Sequence, residues 1–470
     1  MTGLSRRELG AATAWAGLAG LLTACRPTTT GASKPYAEAF TPGQVLPWTN
    51  WGGNQSCLPA QRIAPDSESA LVAALAESAG VVRPVGAGHS FSALVPSEGA
   101  LLSLDLLSGV ASVDAATGEA WVWAGTRLHQ LGPALHARGQ AMPNLPDIDY
   151  QALGGAIATS THGTGKTLGS LSAYITGLRL VTADGSLVEC DANQNAELFH
   201  AARCSLGALG VVSQVRLRNR APLELAQVTR TELRDEVLDD VEARIGDNRH
   251  FELLALPHTD AVITVTTNER ADATGWDEED PNAVYEVREA FRTFGSLPWV
   301  GGWAYRQMIA SGLDAIASVR TGPSHQVLCH DRLVRFREME YTVPAEVGPE
   351  CLREVLATIE SKDIPVVFPI EMRWIAADDV WISPFYERPG CAISVHQFAD
   401  EDHEAYFAEI EPIFWKYEGR PHWGKLHGLD AARLAPRVPR LRDFAELQRE
   451  IDPEGRFLND HLAHVLGRTV

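Results

Sequence analysis

Positive charge is scarce in this sequence. Its 470 residues hold 40 Lys and Arg against 60 Asp and Glu, which gives a formal net charge of −20 at pH 7, and no five basic residues lie together. Binding to nucleic acid needs a basic patch that neutralises phosphates, so this balance disfavours a nucleic-acid partner. Patterns of the HExxH, CxxC and EF-hand types are also missing. We therefore predict no structural or catalytic metal.

The N-terminus lacks a hydrophobic run of the ~20 residues that cross a bilayer. Sixteen uncharged residues, Leu9 to Ala24, instead follow the twin arginine Arg6 and Arg7 and precede Cys25 in "LTAC". Such a run is typical of a signal peptide, and "LTAC" resembles the lipobox of bacterial lipoproteins. We expect a twin-arginine signal peptide and lipidation of Cys25; an uncleaved anchor is the alternative. Either way, we expect the protein in the cell envelope, at the outer face of the cytoplasmic membrane or in the periplasm, with only this anchor touching the membrane.

Cysteine is also sparse. Beyond Cys25, six cysteines are spread widely along the chain, unlike the framework of a small disulfide-rich domain. Twin-arginine substrates resemble one another in being exported already folded, often with a cofactor installed. Folding in a reducing compartment makes obligatory disulfides unexpected.

What the sequence does contain suits two globular domains. The apolar fraction is 45% and the charged fraction 21%, which is ordinary for a packed protein. The segment "VRPVGAGHSFS" at residues 82–92 joins a predicted strand to a glycine loop, after a predicted helix that starts near Ser67. Gly86 and Gly88 allow close approach to a ligand. A Rossmann dinucleotide loop does not fit, because Phe91 replaces its third glycine and no helix follows directly.

Two further segments are rich in glycine and small residues. "DIDYQALGGAIATSTHGTG" at 147–165 could line a cofactor with amides and hydroxyls, although a buried strand with a glycine turn is an equal alternative. "NAELFHAARCSLGALGVVSQVRLR" at 195–218 predicts a helix, a glycine-rich turn and a strand. Three such loops, each expected at the end of a strand, outline one extended ligand.

Four motifs in order, "RPVGAGHS", "ATSTHGTG", "SLGALGVV" and "RPHWGK", resemble FAD enzymes of the vanillyl-alcohol-oxidase type. Within that family they resemble the branch of sugar-1,4-lactone oxidases and alditol oxidases. The resemblance implies an α+β protein with a two-part PCMH-type FAD-binding domain and an α+β substrate domain that contains an antiparallel sheet. The implied division is a signal peptide at 1–24, a linker and N-terminal arm at 25–54, the FAD-binding domain at 55–222, the substrate domain at 223–430 and a C-terminal return to the FAD domain at 431–470.

The resemblance also implies the cofactor, FAD, and a covalent bond from His89 to the 8α-methyl of the flavin ring. Such a bond keeps FAD from dissociating outside the cell and raises its reduction potential. A loop-capping histidine beside noncovalent FAD is the alternative. The implied cofactor-binding residues are Gly86, Ala87, Gly88, His89, Ser90, Gly155, Thr159, Thr161, His162, Gly163, Gly210 and Val211.

Two later segments carry the predicted catalytic residues. In "PIEMRWI" Glu371 and Arg373 are two apart, so a strand places both on one face. From the local sequence alone, an ion pair on a surface strand is an equally good interpretation. The resemblance, however, implies an E-x-R pair that reaches the substrate. Lys425 of "RPHWGK" is the third candidate, as a cation that stabilises the reduced ring, with a solvated loop lysine as the alternative. Asp147 and His396 are weaker substrate-binding candidates. Related alditol oxidases have small hydroxyl residues near these positions, and this departure leaves the identity of the substrate open.

The implied reaction is FAD-dependent oxidation of a sugar-derived alcohol, foremost an aldono-1,4-lactone as in D-arabinono-1,4-lactone oxidases, with O2 as acceptor and H2O2 as product. The alternatives are an alditol oxidase and a membrane-tethered dehydrogenase that uses a respiratory electron acceptor. A sugar-binding lipoprotein without catalysis is disfavoured, because it would not need His89, Glu371, Arg373 and Lys425 together. The residues leave open whether Glu371 or Lys425 takes the hydroxyl proton.

Overall fold

The computed structural model of the protein describes residues 45–270, 288, 317–330 and 334–468. Arg6, Arg7, Cys25 and the predicted signal peptide lie outside these residues. Within them, no helix combines the length and the apolar character needed to cross a membrane.

The strands, numbered along the described residues, are β1 Trp48–Thr49, β2 Ser56–Cys57, β3 Gln61–Ile63, β4 Val82–Val85, β5 Ala100–Ser103, β6 Val110–Asp114, β7 Glu119–Trp123, β8 Ile175–Val181, β9 Leu187–Asp191, β10 Val211–Arg218, β11 Glu224–Leu233, β12 His250–Ala255, β13 Ala261–Glu269, β14 Ala317–Pro323, β15 Phe336–Pro344, β16 Ile370–Ile375, β17 Gly390–Phe398 and β18 Arg420–Pro421. The α-helices, numbered likewise, are α1 Glu68–Glu77, α2 Leu128–His136, α3 Leu153–Ala158, α4 Ala196–Ala202, α5 Arg234–Asp239, α6 Val241–Asp247, α7 Ser324–Val327, α8 Gly348–Ser361, α9 Glu404–Lys416, α10 Ala431–Leu434, α11 Leu441–Ile451 and α12 Asp460–Leu466. Two 3-10 helices cover Leu171–Tyr174 and Ala345–Val347.

The strands from β3 to β10 form two sheets. In the smaller sheet β5 lies between β3 and β4, and all three strands are parallel. Helix α1 connects β3 to β4, two parallel strands on either side of β5, and supplies the crossover that parallel strands need. The larger sheet is antiparallel, in the order β6-β7-β10-β8-β9.

Helix α1 begins where the sequence predicts. Ser67 is its N-cap, and the Ser67 hydroxyl accepts a hydrogen bond from the amide of Ala70 at 3.2 Å. Leu71 and Leu75, one turn apart, are fully buried and form the stripe that packs the helix against the core.

The strands from β11 to β18 form one eight-stranded antiparallel sheet, in the order β14-β11-β13-β12-β16-β17-β15-β18. Strand β16 confirms the prediction for "PIEMRWI" and lies near the middle of this sheet. Its register places Arg373 opposite Glu252 of β12 and Glu371 opposite Ser394 of β17. Because side chains alternate along a strand, Glu371 and Arg373 share one face.

The C-terminal segment packs back on the first sheet. The carbonyl of Arg456 accepts a hydrogen bond from the amide of Val82 at 2.8 Å. The side-chain amide of Asn459 donates to the carbonyl of Ala93, also at 2.8 Å. The described residues therefore combine a mixed N-terminal region with an antiparallel sheet, and the predicted α+β fold class is confirmed.

Candidate active site

A cleft opens where the glycine-rich segments meet. Its walls come from the first glycine loop, helix α3, the turn before β10 and the loop after β18. The predicted cofactor-binding residues that line it are Gly86, Ala87, Gly88, His89, Ser90, Gly155, Thr159, Thr161, Gly210 and Val211. Trp51, Glu338 and Lys425 line the same cleft. Residues far apart in the sequence thus face one continuous space.

Two glycines show why small residues line this cleft. Gly88 has a φ of +70°, in the left-handed region that favours glycine. Gly155 lies within helix α3 rather than after a strand, which corrects the prediction for this segment, and a Cβ there would meet no atom within 4 Å. Across the described residues, the amides of 87–90 donate to no other protein group. Open space and available amides suit a ligand that carries oxygen acceptors.

His89 stands at the wall of the cleft, stacked on Trp51. The two ring centroids are 5.3 Å apart and the planes are inclined by 24°. Burial lowers the pKa of His89 to about 4, and the positive charges of Lys425 and Arg127 reinforce this shift. The ring is therefore neutral at pH 7 and keeps a lone pair on one nitrogen, as a nucleophile needs.

Arg83 supports the cleft from within the core. Its guanidinium donates to three carbonyls, those of Leu94 at 2.9 Å, Gly207 at 2.8 Å and Leu206 at 2.7 Å, and also to the carbonyl of Phe457. Burial lowers the pKa of Arg83 to about 9. One buried side chain thus ties the first loop, the third loop and the C-terminal return together.

Lys425 forms an ion pair with the carboxylate of Glu338, which is almost fully buried. Glu338 also faces His396, with 3.5 Å between Oε1 and Nε2. Burial alone would raise the pKa of Glu338, but the charges of Lys425 and His396 hold it at about 2. The sequence prediction missed Glu338. The available signal was the alternation in "FREMEY", which places Glu338 and Glu340 on one face of a strand.

Arg373 is enclosed by carboxylates. Its Nε lies 2.6 Å from Oε2 of Glu252, its Nη2 lies 2.5 Å from Oε1 of Glu371, and the same Nη2 is 4.0 Å from Oδ2 of Asp147. Burial is the largest influence on Glu371 and raises its pKa; Arg373 opposes this shift, while Glu252 and Asp147 reinforce it. Only 8% of Arg373 is exposed, so the E-x-R pair is not a surface ion pair.

A second, smaller cavity adjoins these carboxylates. Asp147, His250, Glu252 and Arg373 are among the residues that line it. Nδ1 of His250 lies 2.8 Å from the carbonyl of Thr164, whereas its buried Nε2 has no hydrogen-bond partner among the described residues. Burial lowers the pKa of His250 to about 4, so Nε2 is a bare acceptor at pH 7.

His396 lies on the same face of the sheet as Glu338 and Glu371. The register places His396 of β17 opposite Glu338 of β15, and Ser394, two residues earlier on the same face of β17, opposite Glu371 of β16. Neither His396 nor Glu371 is among the described residues that line the two cavities. The structure therefore places Lys425, His396 and Glu371 on one polar wall, with Arg373 at its far end.

His162 and Gly163 do not line the cleft. Nε2 of His162 lies 2.8 Å from Oε1 of Glu340, and Nδ1 lies 2.9 Å from the carbonyl of Gly163. A Cβ on Gly163 would lie 2.2 Å from the carbonyl oxygen of Leu145. Of these two predicted cofactor-binding residues, Gly163 lines the smaller cavity instead, and His162 is held in the hydrogen bond with Glu340.

In the part of the chain that the structure describes, His162, Glu340 and His422 are close enough to share a cation, with donor atoms within 4.8 Å of one another. The amide of Gly424, however, donates to Nδ1 of His422 at 3.0 Å. The neutral ring of His422 then carries its own proton on Nε2, and neither nitrogen offers a free lone pair. We interpret the three residues as a hydrogen-bond network.

Comparison with known proteins decides the family. Residues 215–465 match the family described as D-arabinono-1,4-lactone oxidase, and residues 59–191 match the FAD binding domain. The chain belongs to the D-arabinono-1,4-lactone oxidase family. L-gulono-1,4-lactone dehydrogenase of Mycobacterium tuberculosis is 36% identical over 433 residues, which cover 89% of this chain and 99% of that protein. Alditol oxidase of Streptomyces sp. is 31% identical over 434 residues, which cover 89% of this chain and 98% of that protein.

The structural likeness extends beyond this family. A solvent-stable cholesterol oxidase superposes with a TM-score of 0.73 at 17% identity, over 90% of this chain and 97% of that one. At this identity the likeness shows the fold alone. It confirms a PCMH-type FAD-binding fold joined to a second domain with an antiparallel sheet.

FAD fits the cleft of this family member. The open face of Gly155 leaves room for an extended ligand, and the amides of 87–90 are free to donate to its oxygens. The neutral imidazole of His89 faces the same space. The protein is therefore an FAD-dependent oxidoreductase of the D-arabinono-1,4-lactone oxidase family.

Proposed function

We propose that the protein oxidises a carbinol group of an aldono-1,4-lactone. The observation that carries this proposal is the buried Glu371–Arg373 pair on the polar wall beside the cleft. Arg373 donates from Nε to Glu252 and from Nη2 to Glu371. Among the described residues, its third nitrogen, Nη1, has no hydrogen-bond partner. A lactone carbonyl or ring oxygen can accept from Nη1, while the carboxyl group of Glu371 accepts the hydroxyl proton. The lactone dehydrogenase relative is consistent with this substrate class.

Each residue of the wall has a proposed role. Bound FAD supplies the two-electron oxidation of the carbinol C–H. Because burial raises the pKa of Glu371, its carboxylate is a stronger proton acceptor than an exposed one. Lys425 forms an ion pair with Glu338, so we assign it the stabilisation of developing negative charge rather than the proton transfer.

An alditol is the second candidate substrate. The carboxylates of Glu252 and Asp147 border the smaller cavity, where they can accept hydrogen bonds from additional hydroxyl groups. The alditol oxidase relative favours this candidate. A lactone and an alditol differ in the carbonyl group, and only the lactone offers Nη1 of Arg373 a carbonyl oxygen.

We also propose that His89 holds FAD covalently. The support is its neutral, nucleophilic ring, fixed by Trp51 at the wall of the cleft. A permanent bond suits an enzyme that works outside the cytoplasm, where lost cofactor is not replaced.

The electron acceptor and the location belong to the same proposal. We propose O2 as the acceptor, with H2O2 as product; a respiratory acceptor reached from a membrane-tethered dehydrogenase is the alternative. Export by the twin-arginine route and lipidation at Cys25 rest on the sequence of the N-terminus. Peroxide formation in air, measured against anaerobic reduction of a dye, separates the oxidase from the dehydrogenase.

The deciding experiment is a substrate panel. Aldono-1,4-lactones and alditols are mixed anaerobically with the holoenzyme, and the loss of flavin absorbance at about 450 nm is followed in stopped flow. Faster bleaching by lactones than by alditols supports the proposal. Faster bleaching by alditols selects the second candidate, and no bleaching by either class overturns both.

A further inference from the structure

Among the described residues, carboxylates outnumber the cation at Arg373. One guanidinium faces three carboxylates, those of Glu252 at 2.6 Å, Glu371 at 2.5 Å and Asp147 at 4.0 Å. Glu252 is the direct cross-strand neighbour of Arg373, so the register of β12 and β16 fixes this pair. The guanidinium is thus already neutralised before any substrate arrives.

The other cations of this region are also engaged. Lys425 is paired with Glu338. Arg320 donates to His330 at 2.7 Å, and His330 lies 3.9 Å from Asp147. In the described part of the site, each of these cations therefore has polar or acidic neighbours of its own.

From this arrangement we propose that Glu252 and Asp147 act as a charge filter, which admits uncharged sugar lactones and alditols and rejects their carboxylate forms. The inference rests on the proposed function and names the substrate class of the same site. An incoming carboxylate would have to compete with Glu252 and Glu371 for Arg373 and would stand beside Asp147, and like charges brought together in a desolvated site are strongly unfavourable.

Two groups at this site that have no hydrogen-bond partner among the described residues can bind hydroxyl groups. Nη1 of Arg373 is a donor without a partner among the described residues, and Nε2 of His250 is a buried acceptor without one. A hydroxyl group can accept from Nη1 and donate to Nε2 or to a carboxylate, whereas a carboxylate can only accept. The site therefore has unused hydrogen bonds for a neutral polyol and none that a carboxylate could use without opposing Glu252 or Asp147.

The experiment compares an aldonolactone with the aldonate that its hydrolysis produces. The two molecules share one carbon skeleton, so the negative charge and the opened ring are the main differences; the matching alditol, which is open and neutral, separates these two. Binding to the holoenzyme is titrated anaerobically by the change in the flavin spectrum, and reduction is followed separately. We expect the wild type to bind the lactone and the alditol at least about tenfold more tightly than the aldonate.

Glu252→Gln removes one charge and keeps the shape of the side chain. We expect the preference for the alditol over the aldonate to fall at least about tenfold, because the repulsion of the aldonate is relieved. Glu232→Gln is the matched control, because Glu232 also pairs with an arginine, Arg244 at 2.9 Å, on the distant strand β11. Asp147→Asn is the second variant, so the test can still be made if Glu252→Gln does not fold.

Aldonate binding equal to alditol binding in the wild type would overturn the filter. An unchanged preference in both Glu252→Gln and Asp147→Asn would overturn it as well. Because binding and reduction are read separately, a failure of every compound to reduce the flavin would count against the proposed function, whereas the binding preference would still decide the filter.

Discussion

Trp51 stacks on His89 at the entrance to the cofactor cleft, and this contact orients a neutral imidazole toward the cleft. Stacked rings resist rotation about the side-chain torsions, so the nitrogen that faces the cleft is held in one place. Trp51, which precedes the glycine loop in the sequence, therefore fixes the ring of His89, the proposed site of covalent attachment.

The first prediction follows from this pair. If His89 carries the flavin, the denatured protein should fluoresce yellow-green on a gel, and His89→Ala should lose that band while it retains dissociable FAD. Trp51→Leu should slow attachment without abolishing it, because it removes the orientation and not the nucleophile. A colourless band from the denatured wild type would contradict the covalent bond and leave the fold untouched.

The second prediction concerns Arg373. Replacement by Ala would leave Glu252 and Glu371 without their buried partner, so Arg373→Lys is the cleaner test because it preserves the charge. Lysine carries its three N–H donors on one atom, so it does not reproduce the planar fork that reaches Glu252, Glu371 and the substrate from separate nitrogens. We expect kcat/KM to fall at least about thirtyfold, ~2 kcal/mol of transition-state stabilisation. Arg244→Lys, in the distant pair with Glu232, is the control and should remain near the wild type.

The third prediction separates the structural role of Lys425 from its proposed catalytic role. Lys425→Met leaves the buried carboxylate of Glu338 with only His396, 3.5 Å away, beside it, and should cost about 3 kcal/mol of unfolding free energy. The double variant Lys425→Met/Glu338→Gln should regain most of that stability but not the rate of flavin reduction. Chemical denaturation and stopped flow measure the two quantities. Recovery of both together would mean that Lys425 acts only through the fold.

The fourth prediction is a pH dependence of stability. Burial raises the pKa of Asp378 from 3.8 to about 6, against hydrogen bonds from Ser383 at 2.7 Å and Ser170 at 3.2 Å. Because the folded state holds this proton more tightly than the unfolded state, the contribution is fully present below about pH 4 and is lost as the pH rises through about 6.

Asp378→Asn tests this shift, because it keeps the shape and removes the titration. Relative to this variant, the wild type should lose about 3 kcal/mol of stability between about pH 4 and pH 8. Denaturation curves of both proteins at the two pH values give the difference. A constant difference would show that Asp378 does not titrate in this range.

The fifth prediction concerns export. Replacing Arg6 and Arg7 together by Lys keeps the charge and removes the planar guanidinium pair. If the twin-arginine route is used, the precursor should accumulate in the cytoplasm, as fractionation would show. Unchanged export would point to another route.

Local patterns predicted much of this structure. The cap at Ser67 and the alternation in "PIEMRWI" depend on neighbours within a few residues, and both are present as predicted. The small residues around Gly155 were compatible with a strand or a helix, since neither period is marked in them, and the structure forms a helix there.

The acidic partners could not be predicted in this way. Glu252 meets Arg373 only because strands distant in the sequence pair in one register, and Glu338 meets Lys425 only because the loop after β18 packs against β15. No local spacing encodes that register, which depends on the packing of the whole sheet. The sequence therefore predicts the residues that each segment contributes to the site, but not the contacts between segments.

The hydrogen bonds of Arg83 also bear on when, during synthesis of the chain, the cleft can form. It lies in the fourth strand, yet its guanidinium is satisfied in part by the carbonyl of Phe457, and Ala93 is held by Asn459. A ribosome that has made the glycine loop must still translate more than three hundred residues before these last supports emerge. We therefore expect a chain that ends before Phe457 to lack both supports and to retain FAD less stably than the full chain.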